Sequence, residues 1–359
     1  MPVAERMDAL VVHEPDRFSV ADVPVPDAGR HEVLCRVRAV AICGTDPHII
    51  QGHFPGFWPK SWPFVPGHEW SGEVVELGPG AADFGFEPGM RVAGTSHMGC
   101  GVCRNCVAGR YNLCENQGDE RVHRQYGHYT PGAYAHYVVH SIKSVFPVPD
   151  ALSWDEAAMM DPTAIALHTV KLGGHEPGDT VVVVGPGVMG LVVADCARAL
   201  GAGRVLVVGR GERLGKAGAL GYEKVDFTEA DPVTAVRALT GGRGADVALE
   251  CSGDPRAVGQ CALMVRRGGS VAVIGIPQED AVVPMKQIVL DEIRITGVRA
   301  TAGEMTEAIS LAAAGRLRLA DLITHRFALR DYAEAYRVFT GRVEGALKVV
   351  VYPWGSSDG

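Results

Sequence analysis

Four cysteines lie within a stretch of fifteen residues, with a spacing that suits a metal ion. The pattern C-x2-C-x2-C-x7-C is formed by Cys100, Cys103, Cys106 and Cys114. Four thiolates give the closed tetrahedral site that Zn²⁺ prefers, with no position left for a substrate. An iron–sulfur cluster is the competing interpretation, because a related spacing also binds clusters. We expect a structural zinc site in this loop.

Four further side chains with metal-binding chemistry are scattered along the chain. They are Cys43 in CGTDPH, His68 and Glu69 in GHEWSGEVVELG, and Asp161 in MMDPTA. Three protein ligands on one Zn²⁺ would leave a fourth position for a substrate oxygen. Each residue alone also has a plainer interpretation. A buried cysteine is usually a small apolar side chain, and an aspartate before a proline is typical of a helix N-cap.

The segment VVVVGPGVMG contains the glycine pattern G-x-G-x-x-G between an apolar strand and a helix, the context in which that pattern binds dinucleotides. Gly185 permits a tight turn, and Gly187 lets the backbone approach a pyrophosphate. Gly190 lets the helix pack close to the strand. Val188 and Met189 belong to the helix N-terminus, which is expected to face the phosphates.

The end of the next predicted strand, RVLVVGRGER, bears on which nicotinamide cofactor binds. NAD sites usually have an acid there to hold the ribose 2′-hydroxyl, whereas this chain has Gly209. Arg210 and Arg213 offer paired donors for the 2′-phosphate of NADP. Glu212 argues for NAD, because a small change of register would let it replace the acid. The loop favours NADP over NAD.

The 359 residues are 47% hydrophobic and 21% charged, an ordinary globular balance for about two domains. The net charge of −8 disfavours binding to a nucleic-acid duplex, which usually needs a basic surface. No apolar run approaches the ~18 residues of a membrane span, and the first residues lack a signal-peptide pattern. We therefore expect a cytoplasmic protein that contacts neither nucleic acid nor membrane.

The predicted elements change character near residue 155. Before it, short valine-rich strands alternate with Pro- and Gly-rich turns, as in a small β-barrel or sandwich. After it, apolar strands alternate with helices, as in a doubly wound parallel sheet. The predicted strands are 32–41, 71–77, 133–140, 181–184, 204–208, 246–250, 270–274, 293–298 and 346–351, and the predicted helices are 156–172, 191–200, 231–239 and 256–265, with two more after residue 300.

The motifs CGTD and GHExxGxxxxxG, the four-cysteine loop and the glycine turn occur in one order over nearly the whole chain. Together they resemble the motifs of the zinc-dependent medium-chain alcohol dehydrogenases. Within that family the chain is most similar to the threonine and polyol dehydrogenase branch. The resemblance implies an α/β chain of two domains with the active site in the cleft between them. Residues 1–157 and 302–359 are expected to form a GroES-like β-barrel catalytic domain, and residues 158–301 a Rossmann domain.

The resemblance also implies roles for the scattered ligands. In that family, residues at the positions of Cys43, His68 and Asp161 bind a catalytic zinc ion, and an acid as third ligand is typical of the threonine and polyol dehydrogenases. Glu69 matches a carboxylate that approaches the metal when substrate is absent.

A proton path and a nicotinamide pocket follow from the same resemblance. Thr45 matches the hydroxyl beside the alcohol, and His48 matches the outer histidine that passes the proton to solvent. The pocket is expected at the ends of three strands, with the lining residues Cys251, Ser252, Gly275, Ile276 and Arg299.

Several aromatic residues separate Cys43 from His68 in the sequence. They form either an apolar wall of the substrate pocket or part of the core or of a subunit contact. The acid ligand hints at polyol or amino-alcohol substrates, whereas these rings favour a bulkier, more apolar alcohol. The aromatic residues are Phe54, Phe57, Trp58, Trp62 and Phe64.

These inferences predict an enzyme with two zinc ions per chain, one catalytic and one structural. It would transfer hydride between a small-molecule alcohol and NADP, as a homodimer or homotetramer. A secondary alcohol is favoured over a primary one, and polyols, amino alcohols and bulkier apolar alcohols are all candidates. Use of NAD is one alternative. A zinc-free enoyl reductase like the quinone oxidoreductases is another, and it would not need Cys43, His68 and Asp161. A nucleic-acid-binding zinc knuckle and a catalytically idle cofactor-binding protein are the remaining rivals.

Overall fold

A computed structural model describes residues 3–355, which divide into two compact units. Unit 1 contains the residues up to Asp161, together with Met305–Ala314 and the chain from Leu319 onward. Unit 2 contains Pro162–Glu304 and the short segment Gly315–Arg318. The chain therefore leaves unit 1 after Asp161, a little before the middle of its length, and returns to it near the end.

Strands dominate unit 1, and strands alternate with helices in unit 2. The strands are β1 (Arg6–Glu14), β2 (Arg17–Pro24), β3 (Glu32–Ala41), β4 (Glu69–Leu77), β5 (Arg91–Gly94), β6 (His97–Met98), β7 (Arg124–Gln125), β8 (Tyr137–Ser141), β9 (Val145–Pro147), β10 (Thr180–Val184), β11 (Arg204–Gly209), β12 (Glu223–Asp226), β13 (Ala245–Glu250), β14 (Val265–Val273), β15 (Arg294–Gly297), β16 (Ile323–Ala328) and β17 (Lys348–Tyr352). The α-helices are α1 (Thr45–Ile50), α2 (Arg104–Val107), α3 (Trp154–Ala158), α4 (Met160–Gly173), α5 (Val188–Ala199), α6 (Gly211–Ala219), α7 (Pro232–Leu239), α8 (Pro255–Met264), α9 (Met285–Leu290), α10 (Met305–Ala313) and α11 (Tyr332–Gly341). Short 3-10 helices lie at Ala82–Phe84, Tyr111–Leu113, Ile142–Ser144, Ala320–Leu322, Leu329–Asp331 and Val343–Gly345.

A mixed sheet forms the centre of unit 1. Its strands lie in the order β16-β17-β3-β4-β5-β9, and β8 pairs with the first half of β3. Strands β16 and β17 are parallel, whereas the other neighbours are antiparallel. Apolar side chains of this sheet, including Val37, Trp70 and Val351, share one core with Tyr332 and Val338 of α11. The strand ends that carry the candidate ligands are thus anchored in one packed layer.

Unit 2 is built on a parallel sheet of six strands. Their order is β12-β11-β10-β13-β14-β15, and every neighbouring pair is parallel. This is the 3-2-1-4-5-6 order of a dinucleotide-binding fold. Strand β13 is buried along its whole length, as expected for an inner strand of such a sheet. The predicted α/β class with a Rossmann-like parallel sheet is confirmed.

A buried carboxylate attaches the segment Gly315–Arg318 to unit 2. Asp195 of α5 is fully buried and accepts hydrogen bonds from the backbone amide of Arg318 at 2.9 Å and from its guanidinium at 2.8 Å. Arg198 and the hydroxyl of Tyr222 donate to the same carboxylate. Because the charge is paired and its oxygens have donors, its burial is tolerated.

Two of the predicted elements are divided or shortened by more than two residues in the structure. The predicted helix 156–172 is two helices, because α3 ends before Met159 and α4 begins at Met160. The predicted strand 133–140 begins only at Tyr137, since Ala135 makes a single bridge to Ala9 instead of joining the sheet. The elements without a predicted counterpart are β1, β2, β5, β6, β7, β9, β12 and β16 and the helices α1, α2, α6 and α9. Within residues 3–355, no helix combines the length and the apolar character needed to cross a membrane.

The carboxylate of Glu304 in unit 2 is largely shielded from solvent and accepts three hydrogen bonds. It accepts hydrogen bonds from His168 Nδ1 at 2.9 Å, from the Thr301 hydroxyl at 2.9 Å and from the amide of Ala302 at 2.8 Å. Burial opposes its ionisation, but the bonds from His168 and Ala302 prevail and lower the pKa of Glu304 to about 2. A folded-state pKa below the unfolded value means that the carboxylate stabilises the fold above the unfolded pKa. This stabilisation is lost as the pH falls towards the folded-state pKa.

We expect Glu304→Gln to lower the free energy of unfolding by about 2 kcal/mol at neutral pH and to reduce its fall between about pH 5 and pH 3. Urea unfolding followed by circular dichroism at several pH values measures this. Glu229→Gln, an exposed change in the same unit, is the control. Identical pH dependence in wild type and Glu304→Gln would show that the carboxylate has no such role.

Candidate active site and metal centres

The four cysteines of the predicted loop come together in unit 1, around α2. The sulfur atoms of Cys100 and Cys106 are 3.8 Å apart, and those of Cys103 and Cys114 are 4.0 Å apart. All four sulfurs lie within 4.8 Å of one another. Two Zn–S bonds of ~2.3 Å at a tetrahedral angle place the sulfurs about 3.8 Å apart. The spacing therefore fits one zinc ion better than a cluster, which distributes its cysteines over several irons.

The backbone of the loop is arranged for thiolates. The amides of Val102 and Cys103 donate to the sulfur of Cys100 at 3.4 and 3.3 Å. The bond from Val102 is the largest contribution that lowers the pKa of Cys100 to about 6. Gly99 is required for a steric reason, since a Cβ there would lie 2.8 Å from the sulfur of Cys106. The donor set and the geometry both fit zinc.

We expect Cys103→Ser to lower bound zinc by one ion per chain, because an alcohol is a far weaker ligand than a thiolate. The thermal midpoint should fall and should no longer depend on a weak chelator. Zinc content after dialysis and a melting curve measure both effects. Val102→Ser, an exposed change in the same loop, is the control and should keep its zinc. Unchanged zinc content in Cys103→Ser would contradict the assignment.

A second group of ligand atoms meets at the end of β3 and the start of β4 in the sheet of unit 1. Cys43 follows β3, His68 precedes β4 and Glu69 is the first residue of β4. One ligand atom of each lies within 4.8 Å of the others. His68 and Glu69 are buried. A thiol, an imidazole and a carboxylate are all zinc ligands, and three of them leave a coordination position open.

Asp161 is close enough to His68 and Glu69 for their charges to interact. Its carboxylate does not belong to the set of ligand atoms that lie within 4.8 Å of one another. It is buried, and its Oδ1 accepts hydrogen bonds from the Thr95 hydroxyl at 2.6 Å and the Ser96 amide at 3.1 Å. Burial raises the pKa of Asp161, although the charge of His68 acts in the opposite direction. The helix-cap interpretation is wrong, because Asp161 lies inside the first turn of α4 and bonds instead to the segment between β5 and β6.

Asp46, which the sequence analysis does not single out, faces His68 from α1. Its Oδ1 lies 3.6 Å from His68 Nδ1. Its Oδ2 accepts hydrogen bonds from the Cys43 amide at 2.9 Å and the Tyr134 hydroxyl at 2.7 Å. A carboxylate beside one imidazole nitrogen commonly orients a histidine whose other nitrogen binds metal. The available signal was an acid three residues after Cys43, within CGTD.

The surroundings of His68 are strongly anionic. Desolvation lowers the pKa of His68, but the charges of Cys43, Asp46 and Glu69 outweigh it and raise the pKa to about 10. Lys348 is a buried cation at this site, with its Nζ 2.5 Å from Glu69 Oε2. Buried anions without positive charge nearby are costly, so the site attracts either a proton onto His68 or a metal cation in its place. A divalent cation relieves that imbalance, and the residues present therefore fit zinc.

The residues predicted for proton transfer lie on or beside α1. The hydroxyl oxygen of Thr45 is buried and has no hydrogen-bond partner within residues 3–355. His48 Nδ1 is 2.9 Å from the Nδ1 of His53, which is exposed. Burial, followed by the charge of His53, lowers the pKa of His48, so its imidazole is neutral and able to accept a proton near neutral pH.

The five aromatic residues divide between the core and the ligand group. Phe64 is buried and bridges to β1, and Trp62 packs against the core of unit 1. The ring centroid of Trp58 lies 4.7 Å from that of His128. His128 is in turn 4.4 Å from His68. The further rings that contact Trp58 are those of Phe54 and Phe57.

Unit 2 places the predicted cofactor residues at one edge of its sheet. They follow or end strands β10, β11, β13, β14 and β15, or lie in the first turns of α5 and α6. In parallel sheets, ligands bind outside the carboxyl ends of the strands. The thirteen residues are Gly185, Gly187, Val188, Met189, Gly190, Gly209, Arg210, Arg213, Cys251, Ser252, Gly275, Ile276 and Arg299.

The glycine turn leaves space where a diphosphate would need it. Gly185 has φ of 103°, a conformation that favours glycine. A Cβ on Gly190 would lie 1.9 Å from the carbonyl oxygen of Gly185, so the close packing of turn and helix requires glycine. A Cβ on Gly187 would approach only Arg213 Nη1, at 3.8 Å. The backbone at Gly187 is therefore open, with a guanidinium beside it.

The absence of an acid at position 209 has a steric cause. A Cβ on Gly209 would lie 2.3 Å from Cγ of Pro186, which leaves no room for a carboxylate. The next residue, Arg210, is exposed, and its guanidinium carbon lies 5.6 Å from the ring centroid of Phe227. Asp226 is the residue of β12 that pairs with Gly209 of β11. Its carboxylate accepts hydrogen bonds from the amide and the hydroxyl of Thr228.

Comparisons with known proteins agree with this architecture. The profile of the alcohol dehydrogenase GroES-like domain matches residues 29–150, and that of the zinc-binding dehydrogenase domain matches residues 188–314. The chain is 33% identical over 358 residues to a sorbitol dehydrogenase of Bacillus subtilis, covering 98% of both chains. It is 36% identical over 342 residues to an L-threonine 3-dehydrogenase of Anaeromyxobacter sp. (strain K), covering 94% of this chain and 95% of the relative.

Solved structures are similar over almost the full length. A Sinorhizobium meliloti 1021 protein bound to NADP superposes with a TM-score of 0.87 and 31% identity, covering 98% of this chain and 100% of that one. An Escherichia coli CFT073 alcohol dehydrogenase with NADH gives a TM-score of 0.88 and 25% identity, covering 97% and 100%. Fold and site thus define a zinc-binding oxidoreductase. The chain belongs to the zinc-dependent medium-chain alcohol dehydrogenase family, as its motifs predict.

Proposed function

We propose that this enzyme transfers hydride between a polar secondary alcohol and NADP, with one catalytic and one structural zinc ion per chain. The observation that carries the proposal is the convergence of Cys43, His68 and Glu69 in a buried, anionic site. That site is separate from the four-cysteine loop, whose geometry supports the structural ion. A zinc-free reductase would have no use for such a convergence.

The ligands proposed for the catalytic ion are Cys43, His68 and Asp161. Asp161 is buried and near enough for its charge and that of His68 to act on each other. Three protein ligands leave one place for a substrate oxygen. Zinc bound there supplies Lewis acidity, which lowers the pKa of an alcohol and favours the loss of hydride. Glu69 is the alternative ligand, a carboxylate that would compete with substrate for that place.

The proton is proposed to leave through side chains of α1. The buried hydroxyl of Thr45 lacks a partner within the described chain, so it is free to bond a substrate hydroxyl. His48 is neutral near neutral pH and accepts the proton, since its pKa is lowered. The exposed His53, bonded to His48 at 2.9 Å, extends the path to solvent.

Several features support NADP as the cofactor. Pro186 excludes an acid at Gly209, so the usual partner of the ribose 2′-hydroxyl is missing. Arg210 is exposed at the start of α6, where backbone amides also favour phosphate. Arg213 lies beside the open backbone at Gly187. The bound NADP of the Sinorhizobium meliloti structure supports the same choice, whereas the NADH of the Escherichia coli structure is the alternative.

The proposed substrates are polyols and amino alcohols rather than bulky apolar alcohols. The sorbitol and threonine dehydrogenases among the relatives act on such compounds by name. The imidazole of His128 lies next to His68 and adds a polar group to the aromatic wall formed by Trp58.

Exposed apolar side chains of α9 and β15, among them Val289, Leu290 and Ile295, support a homo-oligomer.

We expect Cys43→Ser to lower kcat/KM for a polar secondary alcohol by roughly 10³-fold, equivalent to about 4 kcal/mol. Binding of NADPH should stay within about twofold of wild type, because Cys43 belongs to unit 1 and the glycine turn to unit 2. Initial rates with sorbitol, L-threonine and butanediol measure turnover. Gly44→Ala, a change with open space around it, is the control. Wild-type rates in Cys43→Ser would refute a catalytic metal at this site.

We expect NADPH to bind at least about tenfold more tightly than NADH, a difference of about 1.4 kcal/mol. Arg210→Ala should remove most of that preference by weakening NADPH alone, because only NADPH has a 2′-phosphate. Nucleotide fluorescence titrations give both constants. Arg294→Ala, at the far edge of the same sheet, is the control. Tighter binding of NADH would exclude this cofactor assignment and would point to Glu212 as a partner of the ribose.

A further inference from the structure

Lys348 is the one charged residue of strand β17 and its first residue. Strand β17 reads KVVVY and is buried along its length, with Lys348 only 4% exposed. The backbone of this segment is held against the end of β3, because the Ile42 amide donates to the carbonyl of Val349 and Val350 pairs with Ala41. The sheet therefore fixes the position of Lys348 beside the residue that precedes Cys43.

The ammonium group of Lys348 reaches two partners in unit 1. It donates to Glu69 Oε2 at 2.5 Å and to the carbonyl of Ile42 at 3.1 Å. Glu69 pairs with Ala41 on the opposite side of β3, so Lys348 and Glu69 come from the two strands that flank β3. Both side chains are buried, and the contact is thus a fully desolvated ion pair.

The carboxylate of Glu69 that bonds to Lys348 also lies near the proposed metal ligands. One of its oxygens lies within 4.8 Å of ligand atoms of Cys43 and His68. A move of the carboxylate onto a metal at that site would weaken its bond to Lys348 and leave a buried ammonium poorly compensated. Separating such a pair is expensive, because an unpaired buried charge costs several kcal/mol. The ion pair therefore opposes ligation by Glu69.

We propose that Lys348 is a positioning residue that holds Glu69 as its counter-ion and thereby keeps the fourth place of the proposed catalytic zinc site open for substrate. The inference rests on the proposed function, since it assumes a metal at Cys43 and His68. An ion pair that only stabilised the sheet would stabilise the fold without affecting access to the metal. The two possibilities differ in what happens at the metal when the lysine is removed.

The test uses cobalt-loaded protein and imidazole as a small ligand for the open place. In wild type, imidazole should shift the visible absorption bands of cobalt at the Cys43 site. In Lys348→Gln, Glu69 should occupy the place, and the apparent Kd for imidazole should rise at least about tenfold. The double variant Lys348→Gln with Glu69→Gln should return to within about threefold of wild type, and Lys348→Arg should behave as wild type.

An equal imidazole affinity in wild type and Lys348→Gln would overturn the proposal. So would a loss of affinity that persists in the double variant, because it would show that Glu69 is not the competing ligand. Circular dichroism establishes that each variant is folded. If Lys348→Gln does not fold, Glu69→Gln with the lysine retained gives the answer. Unchanged affinity supports the proposal, and a rise of tenfold or more overturns it, since Glu69 would then have been on the metal despite Lys348.

Failure of the proposed function gives a different result. If wild type shows no cobalt band that responds to imidazole and that disappears in Cys43→Ser, no metal binds at Cys43, and both proposals fall. A responsive band in wild type that is the same in Lys348→Gln overturns the role of Lys348 alone. The four-cysteine loop has no open place, so its cobalt spectrum should not respond to imidazole in any variant.

Discussion

The burial of several acidic groups around one histidine and one lysine is the constraint on which unit 1 depends. Asp46, Glu69 and Asp161 are all buried beside His68, and only Lys348 contributes a buried lysine charge in the contacts described for this site. Low-dielectric burial of unpaired charge is costly, so such a cluster is stable only with compensation. The divalent cation proposed at Cys43 and His68 would supply it. The ends of β3, β4 and β17 hold the group together because they lie side by side in one sheet.

Features that are local in the sequence could be predicted, because their chemistry depends on residues a few positions apart. The cysteine loop and the glycine turn are of this kind, since each is formed by one short segment. The doubly wound sheet was also predictable, because apolar strands and helices alternate visibly along the chain. The boundaries that failed, such as the break at Met159, depend on packing rather than on periodicity.

Contacts between distant segments could not be predicted in this way. Lys348 and Glu69 are 279 residues apart, and they meet only because β17 and β4 flank β3 in a particular register. His128 reaches His68 from a loop with no motif of its own. Gly209 illustrates an intermediate case. The missing acid is visible in the sequence, but its cause, the ring of Pro186, is visible only in the fold.

We propose that each chain binds two zinc ions with different donor sets. X-ray absorption at the zinc edge of the fully loaded protein tests it most directly, because it counts sulfur and lighter ligands without a substrate. We expect five sulfur ligands shared by two ions, about 2.5 per zinc on average, with nitrogen and oxygen completing the catalytic site. One zinc ion per chain with four sulfur ligands and no lighter neighbours would contradict it, and would leave the buried charge around His68 without its cation.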